Sequence, residues 1–188
     1  YINDLCSEFP DLHFDFHGHN DYDLSVANTL EAIKAGCNGI HSTINGMGER
    51  AGNTPLASII AANNDFLKNF KININEKNLY NVSKLVSKFS GFRIPPNKPI
   101  IGENVFTQTA GIHADGDTKN NLYYNELLPE RFGRKRKYAL GKTSGKANIK
   151  KNIENLGLNL SDDEIKKVTG RVIAVSYTHL TLPTSHCV

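Results

Sequence analysis

The 188-residue chain has no tryptophan and one methionine, Met47, and it begins at Tyr1 rather than at an initiator methionine. It has no run of 18 apolar residues, which excludes a transmembrane helix at the level of sequence, and no signal-peptide pattern at its start. Its three cysteines, Cys6, Cys37 and Cys187, form no CxxC pair. That usage is typical of a reducing compartment rather than of a disulfide framework. We therefore expect a cytoplasmic protein that is a fragment or a processed product.

The charge is nearly balanced overall but not along the chain. The net charge is +3, with 39% hydrophobic and 22% charged residues, which is typical of one or two globular domains and does not by itself indicate nucleic-acid binding. The segment Asp117–Lys151 holds ten basic and three acidic residues, a net charge of +7. Its RFGRKRK stretch resembles a nucleic-acid or nuclear-localisation patch, but no aromatic stacking platform interleaves it. A solvated surface is the default interpretation, and contact with an anionic substrate or cofactor is the second.

The GKTSGK stretch of the basic segment suggests a phosphate-binding loop at first sight. The Walker pattern requires a glycine five residues before Gly141, and that position is Arg136. The spacing therefore excludes a P-loop.

Strand and helix patterns alternate over the first 70 residues. Apolar and polar residues alternate from Leu12 to His19, which predicts a strand, and Leu24–Ala35 has helical periodicity. Gly39–Asn45 is a second predicted strand, and Thr54 followed by Pro55 predicts the cap and first turn of another helix. This order predicts a parallel α/β sheet or barrel. Because a closed barrel needs eight strands and about 250 residues, most of such a barrel would precede the first residue of this chain.

The second half has a different composition. Residues 75–89 predict a helix, and the proline-rich stretch 91–99 predicts a linker. Further helices are predicted at 146–156 and 161–169, the second with a capping box formed by Ser161 and Glu164. The stretch VSYTHLTLPT near the end resembles a translated sequencing adaptor. We interpret residues 175–188 as a non-native tail, the alternative being a genuine C-terminal tail.

The sequence HGHND at residues 17–21 is the strongest candidate for chemistry. His17 and His19 are two residues apart on a predicted strand, so their side chains point to the same side. Two neutral imidazoles placed in this way can chelate one divalent cation at the strand end where barrel enzymes place their active sites. A pair of hydrogen-bonded surface histidines on a β–α loop explains the spacing equally well.

Two further segments are candidates. NGMGERAGN at residues 45–53 follows the second strand, and its glycines permit close backbone approach beside Asn45, Glu49, Arg50 and Asn53. It is either part of a site on adjacent β–α loops or a plain glycine-rich turn with a Glu–Arg pair. GIHADGDTKNNLYY at residues 111–124 offers a histidine for acid–base catalysis and tyrosines that could relay a proton. From the segment alone, a surface loop is favoured.

Four stretches together carry a resemblance to a known family: HGHNDYDLSVANTLEAIKAG, TINGMGERAGN, GENVFTQTAGIHADG and LLPERFGRKRKYALGKTSGK. The chain resembles the C-terminal half of the 2-isopropylmalate synthase and (R)-citramalate synthase family, which also includes homocitrate synthases. The resemblance extends from Tyr1 to about Val172. It implies the last two strands of a (β/α)8 TIM barrel followed by mostly helical subdomains.

The resemblance implies roles for specific residues. His17 and His19 match the metal ligands of the family, and Asn53 matches a further, weaker ligand. His113 and Tyr123 match a catalytic pair that acts on the active site of the neighbouring subunit of a homodimer. The aspartate ligand, its neighbouring arginine and the catalytic glutamate of the family would all lie upstream of this chain, so we expect the fragment alone to be inactive.

The implied reaction is a Claisen condensation of acetyl-CoA with a 2-oxo acid, assisted by a divalent metal such as Mg, Mn or Zn. The first expectation is 2-isopropylmalate synthase, which uses 2-oxoisovalerate in leucine biosynthesis. The alternatives are (R)-citramalate synthase, which uses pyruvate in isoleucine biosynthesis, and homocitrate synthase. A lyase of the same superfamily and a non-enzymatic basic binding module are less favoured, and neither a membrane nor a nucleic acid is an expected partner.

The same resemblance suggests a domain organisation. Residues 1–72 are expected to be the end of the barrel with the metal site, 73–99 a helical linker subdomain, and 100–174 a post-barrel catalytic subdomain. The adaptor-like tail would follow at 175–188.

Overall fold

The computed structural model describes residues 1–67, 70, 72–108 and 126–180. It divides into two compact units. Unit 1 comprises Tyr1–Val105 and Glu126–Arg134, and unit 2 comprises Phe106–Asn125 and Lys135–Val188.

Unit 1 alternates strands and helices, as the sequence predicts. Its elements are α1 (Ile2–Glu8), β1 (Asp15–His17), α2 (Ser25–Lys34), β2 (Gly39–His41), α3 (Leu56–Phe66) and α4 (Leu79–Ser90). Short 3-10 turns occur at Ile44–Gly46, Glu76–Asn78 and Pro129–Phe132. The helix α1 has no counterpart in the sequence prediction.

The strands β1 and β2 pair in parallel, with Asp15 opposite Gly39, Phe16 opposite Ile40 and His17 opposite His41. Both are shorter than predicted. The second strand ends before residue 45 because the chain turns there, and Asn45 has a φ of 63° that no strand residue adopts. The parallel register brings the carboxyl ends of both strands to the same edge, where the candidate site lies.

The core of unit 1 lies between α2 and α3. Ile33, Ile59 and Leu67 are buried together. Three partly buried residues pack against them: Val26, Leu30 and Ile40. Because Ile40 belongs to β2, this cluster holds the helices against the strand pair and so fixes the position of the loops that follow the strands.

The predicted cap of α3 is wrong. The helix begins at Leu56 with Pro55 as its N-cap and no side-chain cap hydrogen bond. The Thr54 side chain is buried, where it shares a hydrogen bond of 2.9 Å with Thr29 of α2. A buried hydroxyl needs a partner, and this partner lies on another helix rather than in the first turn of α3.

An arginine of the basic segment lies inside unit 1. Arg131 donates to both carboxylate oxygens of Glu76, at 2.5 and 2.7 Å, and to Asp65 at 2.5 Å. The side chains of the three residues are only 13–19% exposed. Arg134 donates to backbone carbonyls of Ile100 and Gly102. The default interpretation of a solvated basic surface is therefore wrong for these two arginines.

Unit 2 contains the strands β3 (Thr107–Gln108) and β4 (Lys137–Tyr138), which pair in parallel, and the helices α5 (Lys146–Asn155) and α6 (Asp162–Leu180). Ile149 and Ile153 of α5 are buried against Ile165 of α6. Both helices were predicted, but α6 continues well past the predicted end at residue 169.

The predicted capping box of α6 is confirmed. The Glu164 carboxylate accepts hydrogen bonds from the Ser161 backbone N–H at 2.8 Å and from its hydroxyl at 2.7 Å. In return, the Glu164 N–H donates to the Ser161 hydroxyl at 3.4 Å. This reciprocal pattern satisfies N–H groups that the first helical turn leaves without partners.

The described residues thus have the α/β character that the sequence predicts. That β1 and β2 belong to a closed barrel stays a prediction, as do the four domain ranges and the non-native origin of residues 175–188. In the described part of the chain, no helix is long and apolar enough to cross a membrane.

Candidate functional site

The two histidines of HGHND lie side by side at the end of β1. Their ring centroids are 5.0 Å apart and the ring planes are inclined at 75°. Two imidazoles that share one cation, each with a metal–nitrogen distance of about 2.1 Å, have centroids roughly 4.5–5.5 Å apart. The separation of His17 and His19 therefore fits a shared divalent cation.

Asn53 lies directly opposite His19, although 34 positions separate the two in sequence. Their backbones form an isolated antiparallel bridge, and directly opposite residues of such a pair project to the same side. The side-chain oxygen of Asn53 is buried and accepts no hydrogen bond from the described residues. Because a buried polar atom ordinarily has a partner, this oxygen fits the role of a ligand to a bound cation.

Two glycines of this segment permit close contacts, one with the Asn53 side chain and one with the backbone of Gly46. A Cβ atom at position 48 would lie 2.6 Å from Nδ2 of Asn53, which is closer than real Cβ contacts. At Gly52, with a φ of 88°, a Cβ would lie 1.9 Å from the carbonyl oxygen of Gly46. The glycine spacing of GMGERAGN is therefore explained by the close approach of backbone and amide at this site.

A third histidine, which the sequence analysis did not single out, lies against His17. His41 is the partner of His17 in the parallel register, and their ring centroids are 5.5 Å apart. Its Nε2 is 3.5 Å from Oδ2 of Asp15, whose Oδ1 is 2.9 Å from Nε2 of His13. The available signal was that His41 lies within the second predicted strand, as His17 lies within the first, but one sequence does not reveal the register of the two strands.

An ion pair joins the two loops that follow the strands. Arg50 donates through Nε to Asp21 Oδ1 at 2.8 Å and through Nη2 to Asp21 Oδ2 at 3.2 Å. These hydrogen bonds hold the pKa of Asp21 below its usual range. Glu49 is a weaker partner, with its carboxylate 3.8 Å from Arg50 Nη1. The main acidic partner of Arg50 is therefore not the adjacent glutamate that the glycine-rich-turn interpretation assumed.

Asn45, another candidate of the same segment, points elsewhere. It is buried, and its Nδ2 donates at 3.0 Å to the carbonyl oxygen of Ser83 in α4. Its hydrogen bond ties the turn after β2 to that helix, so we remove it from the candidate set.

The ligand chemistry of the site is mixed. Within the described ranges, no three side chains of the His, Cys, Asp and Glu types meet in a geometry that could hold a metal ion. The candidate donors at this strand end are the two adjacent imidazoles and the amide oxygen of Asn53, whose backbone is bridged to that of His19. Imidazole is a ligand type that suits Zn, and amide carbonyl oxygen one that suits Mn. The other two candidate residues, His113 and Tyr123, lie outside the described residues, and their roles stay predictions.

Comparisons with known proteins match both halves of the chain to described families. Residues 1–86 match the family described as HMGL-like, and residues 100–179 match the family described as homocitrate synthase post-HMGL domain-like. The chain is 44% identical over 156 residues to the probable 2-isopropylmalate synthase of Ignicoccus hospitalis, which covers 83% of the chain and 39% of that protein.

Two other curated relatives have different names. The homocitrate synthase of Sulfolobus acidocaldarius is 43% identical over 173 residues, covering 91% of the chain and 36% of that protein. The (R)-citramalate synthase of Methanocaldococcus jannaschii is 40% identical over 166 residues, covering 88% of the chain and 34% of that protein. The chain thus spans between a third and two fifths of the length of these relatives. It belongs to the family in which an HMGL-like domain is followed by a homocitrate synthase post-HMGL domain, and whose curated members include 2-isopropylmalate, (R)-citramalate and homocitrate synthases.

Proposed function

We propose that the chain is the C-terminal part of a metal-dependent enzyme that condenses acetyl-CoA with a 2-oxo acid. The observation that best supports this proposal is the pair of adjacent His17 and His19 rings, with Asn53 on the segment bridged to His19 and its buried amide oxygen without a hydrogen bond from the described residues. In this proposal β1 and β2 are the last two strands of a (β/α)8 barrel, whose active site lies at the carboxyl ends of its strands.

The ligand roles follow from the chemistry of these side chains. His17 and His19 would each contribute a neutral ring nitrogen, and Asn53 an amide oxygen, to a site for Mg, Mn or Zn. A divalent cation held there supplies Lewis acidity at the carbonyl and carboxylate oxygens of the 2-oxo acid. We assign the remaining ligand to an aspartate of an earlier barrel strand.

The proton chemistry is assigned to the post-barrel subdomain. A base removes a proton from the methyl group of acetyl-CoA, the resulting enolate attacks the keto carbon, and water hydrolyses the thioester to release CoA. We assign His113 and Tyr123 to this proton transfer and leave open which of them is the immediate base. In this proposal they act on the active site of the second subunit of a homodimer.

The identity of the 2-oxo acid substrate is a separate proposal from the class of reaction. We propose 2-oxoisovalerate, as for 2-isopropylmalate synthase in leucine biosynthesis, with pyruvate or 2-oxoglutarate as alternatives because relatives with all three synthase names align with the chain. The specificity pocket would be formed largely by barrel strands outside this chain, so only an assay separates the three acids.

The test measures CoA release by the whole protein to which the chain belongs, with acetyl-CoA, Mn²⁺ and each of the three acids. We expect condensation with one acid to exceed the others clearly, and no CoA release by the 188-residue chain alone. His17→Ala and His19→Ala should each lower kcat/KM at least 100-fold. His13→Ala is the matched control, because His13 lies two residues before β1 and its ring pairs with Asp15. Cleavage of a hydroxyacyl-CoA without any condensation product would refute the proposal in favour of a lyase.

A further inference from the structure

The two loops that carry the proposed ligands are joined by side chains that the proposed chemistry does not use. Asp21 follows His19 by two residues, and Arg50 precedes Asn53 by three. The guanidinium of Arg50 donates two hydrogen bonds, one to each oxygen of the Asp21 carboxylate. Bidentate pairs of this kind restrict geometry as well as adding attraction.

Two backbone hydrogen bonds also join the same loops, one on each side of the proposed ligands His19 and Asn53. The Asn20 N–H donates to the Gly52 carbonyl oxygen at 2.9 Å, and the Thr54 N–H donates to the Gly18 carbonyl oxygen at 3.1 Å. His19 and Asn53 face each other between these two bonds. The ion pair lies beside this short ladder, on the side of Asn20.

The backbone of Arg50 is held in an uncommon conformation. Its φ is 54°, in the left-handed region that residues with a Cβ atom rarely adopt. A glycine would adopt this conformation without strain, but it would lack the guanidinium that reaches Asp21. The presence of arginine at a position that favours glycine points to a use for its side chain.

Global stability is a poor explanation for that use. The Arg50 and Asp21 side chains are 56% and 41% exposed, and ion pairs this exposed contribute little to the stability of a fold. The explanation that remains is a local effect on the spacing of the two loops, because Asp21 and Arg50 each lie within three residues of a proposed ligand.

We propose that the Asp21–Arg50 ion pair is a clamp that holds His19 and Asn53 at the separation a divalent cation requires. The two residues are positioning residues and do not contact the cation. The inference rests on the proposed function, since it assumes that His19 and Asn53 bind a cation. Groups that orient metal ligands in this way typically alter metal affinity by 10–100-fold.

The experiment measures Mn²⁺ binding by electron paramagnetic resonance to the whole protein to which the chain belongs, because one proposed ligand lies outside the 188 residues. Arg50→Gly and Asp21→Asn should each raise the dissociation constant roughly tenfold, and the exchanged pair Asp21→Arg with Arg50→Asp should recover part of the loss. Thermal midpoints should stay within about 3 °C of the parent chain. Glu31→Gln, which breaks the exposed pair between Glu31 and Lys34, is the control and should leave Mn²⁺ affinity unchanged.

A second measurement needs no metal. Without Mn²⁺, the Asn20 amide proton should exchange with solvent at least several-fold faster in Arg50→Gly than in the parent chain, because the ladder opens more often. Unchanged exchange together with unchanged Mn²⁺ affinity would refute the clamp and leave the cation site standing. Faster exchange with unchanged affinity would refute the positioning of the ligands. A whole parent protein that binds no Mn²⁺ would overturn the cation site of the proposed function and this inference with it.

Discussion

Replacing Arg131 with methionine should destabilise unit 1 more than any comparable change on its surface. The guanidinium pairs with Glu76 and Asp65 and also donates to the carbonyl oxygens of Glu126 and Ala61 at 3.3 and 3.4 Å. The two carboxylates raise the pKa of Arg131 above its usual value, so it stays charged in the folded protein. Its removal leaves two carboxylates, 13% and 14% exposed, without their cation.

The magnitude follows from that burial. Deleting one partner of a buried ion pair costs about 3–5 kcal/mol, because the charge left behind has lost both water and counterion. We therefore expect Arg131→Met to lower the free energy of unfolding by about 4 kcal/mol, a large share of the roughly 5–15 kcal/mol of an ordinary domain. Arg131→Lys should lose about 2 kcal/mol, because it retains the charge but not the planar donors.

The assay is urea unfolding followed by circular dichroism and by tyrosine fluorescence, since the chain has no tryptophan. Coincident curves from the two probes would justify a two-state analysis. Glu31→Gln is the control, because the Lys34–Glu31 pair is exposed and its loss should cost at most about 1 kcal/mol. Adding Asp65→Asn and Glu76→Gln to Arg131→Met should recover part of the loss. A loss from Arg131→Met no larger than that of the control would refute the reasoning.

Three further predictions concern the site, a helix cap and a thiol. Gly48→Ala should raise the Mn²⁺ dissociation constant several-fold with little change in thermal midpoint, because the new methyl group displaces the Asn53 amide; unchanged affinity would contradict this placement of the amide. The capping serine lowers the pKa of Glu164, so its contribution to stability is complete above the pKa of the unfolded chain and is lost as the pH falls through the folded-state value. Glu164→Gln should therefore flatten the acid dependence of the unfolding midpoint between about pH 6 and pH 2, and identical profiles would count against the cap. Burial raises the pKa of the Cys37 thiol, and the neighbouring Cys6 raises it further. Cys37 should therefore react with Ellman's reagent more slowly than an unperturbed thiol, and faster after Cys6→Ala. A Cys37 thiol in the parent chain that reacts as fast as free cysteine would contradict this.

Local patterns along the chain determined much of unit 1. The period-two alternation before residue 19 predicted β1, and apolar residues at helical spacing predicted α2, because these periods follow from backbone geometry and require no distant partner. The capping box of α6 could be recognised for the same reason, since its residues are three positions apart. The spacing of His17 and His19 likewise placed two imidazoles on one side of a strand before any fold was known.

Only the tertiary structure decided the features that depend on contacts between residues far apart in the sequence. Thr54 suits a helix cap by sequence, but its hydroxyl is buried against Thr29, 25 residues away. His41 joined the candidate site through the parallel register, and only the structure showed that Arg50 pairs mainly with Asp21 rather than with the adjacent Glu49. Hydrogen bonds, ion pairs and strand register between remote segments form only when the core between α2 and α3 brings those segments together, and one sequence contains no periodic signal of that arrangement.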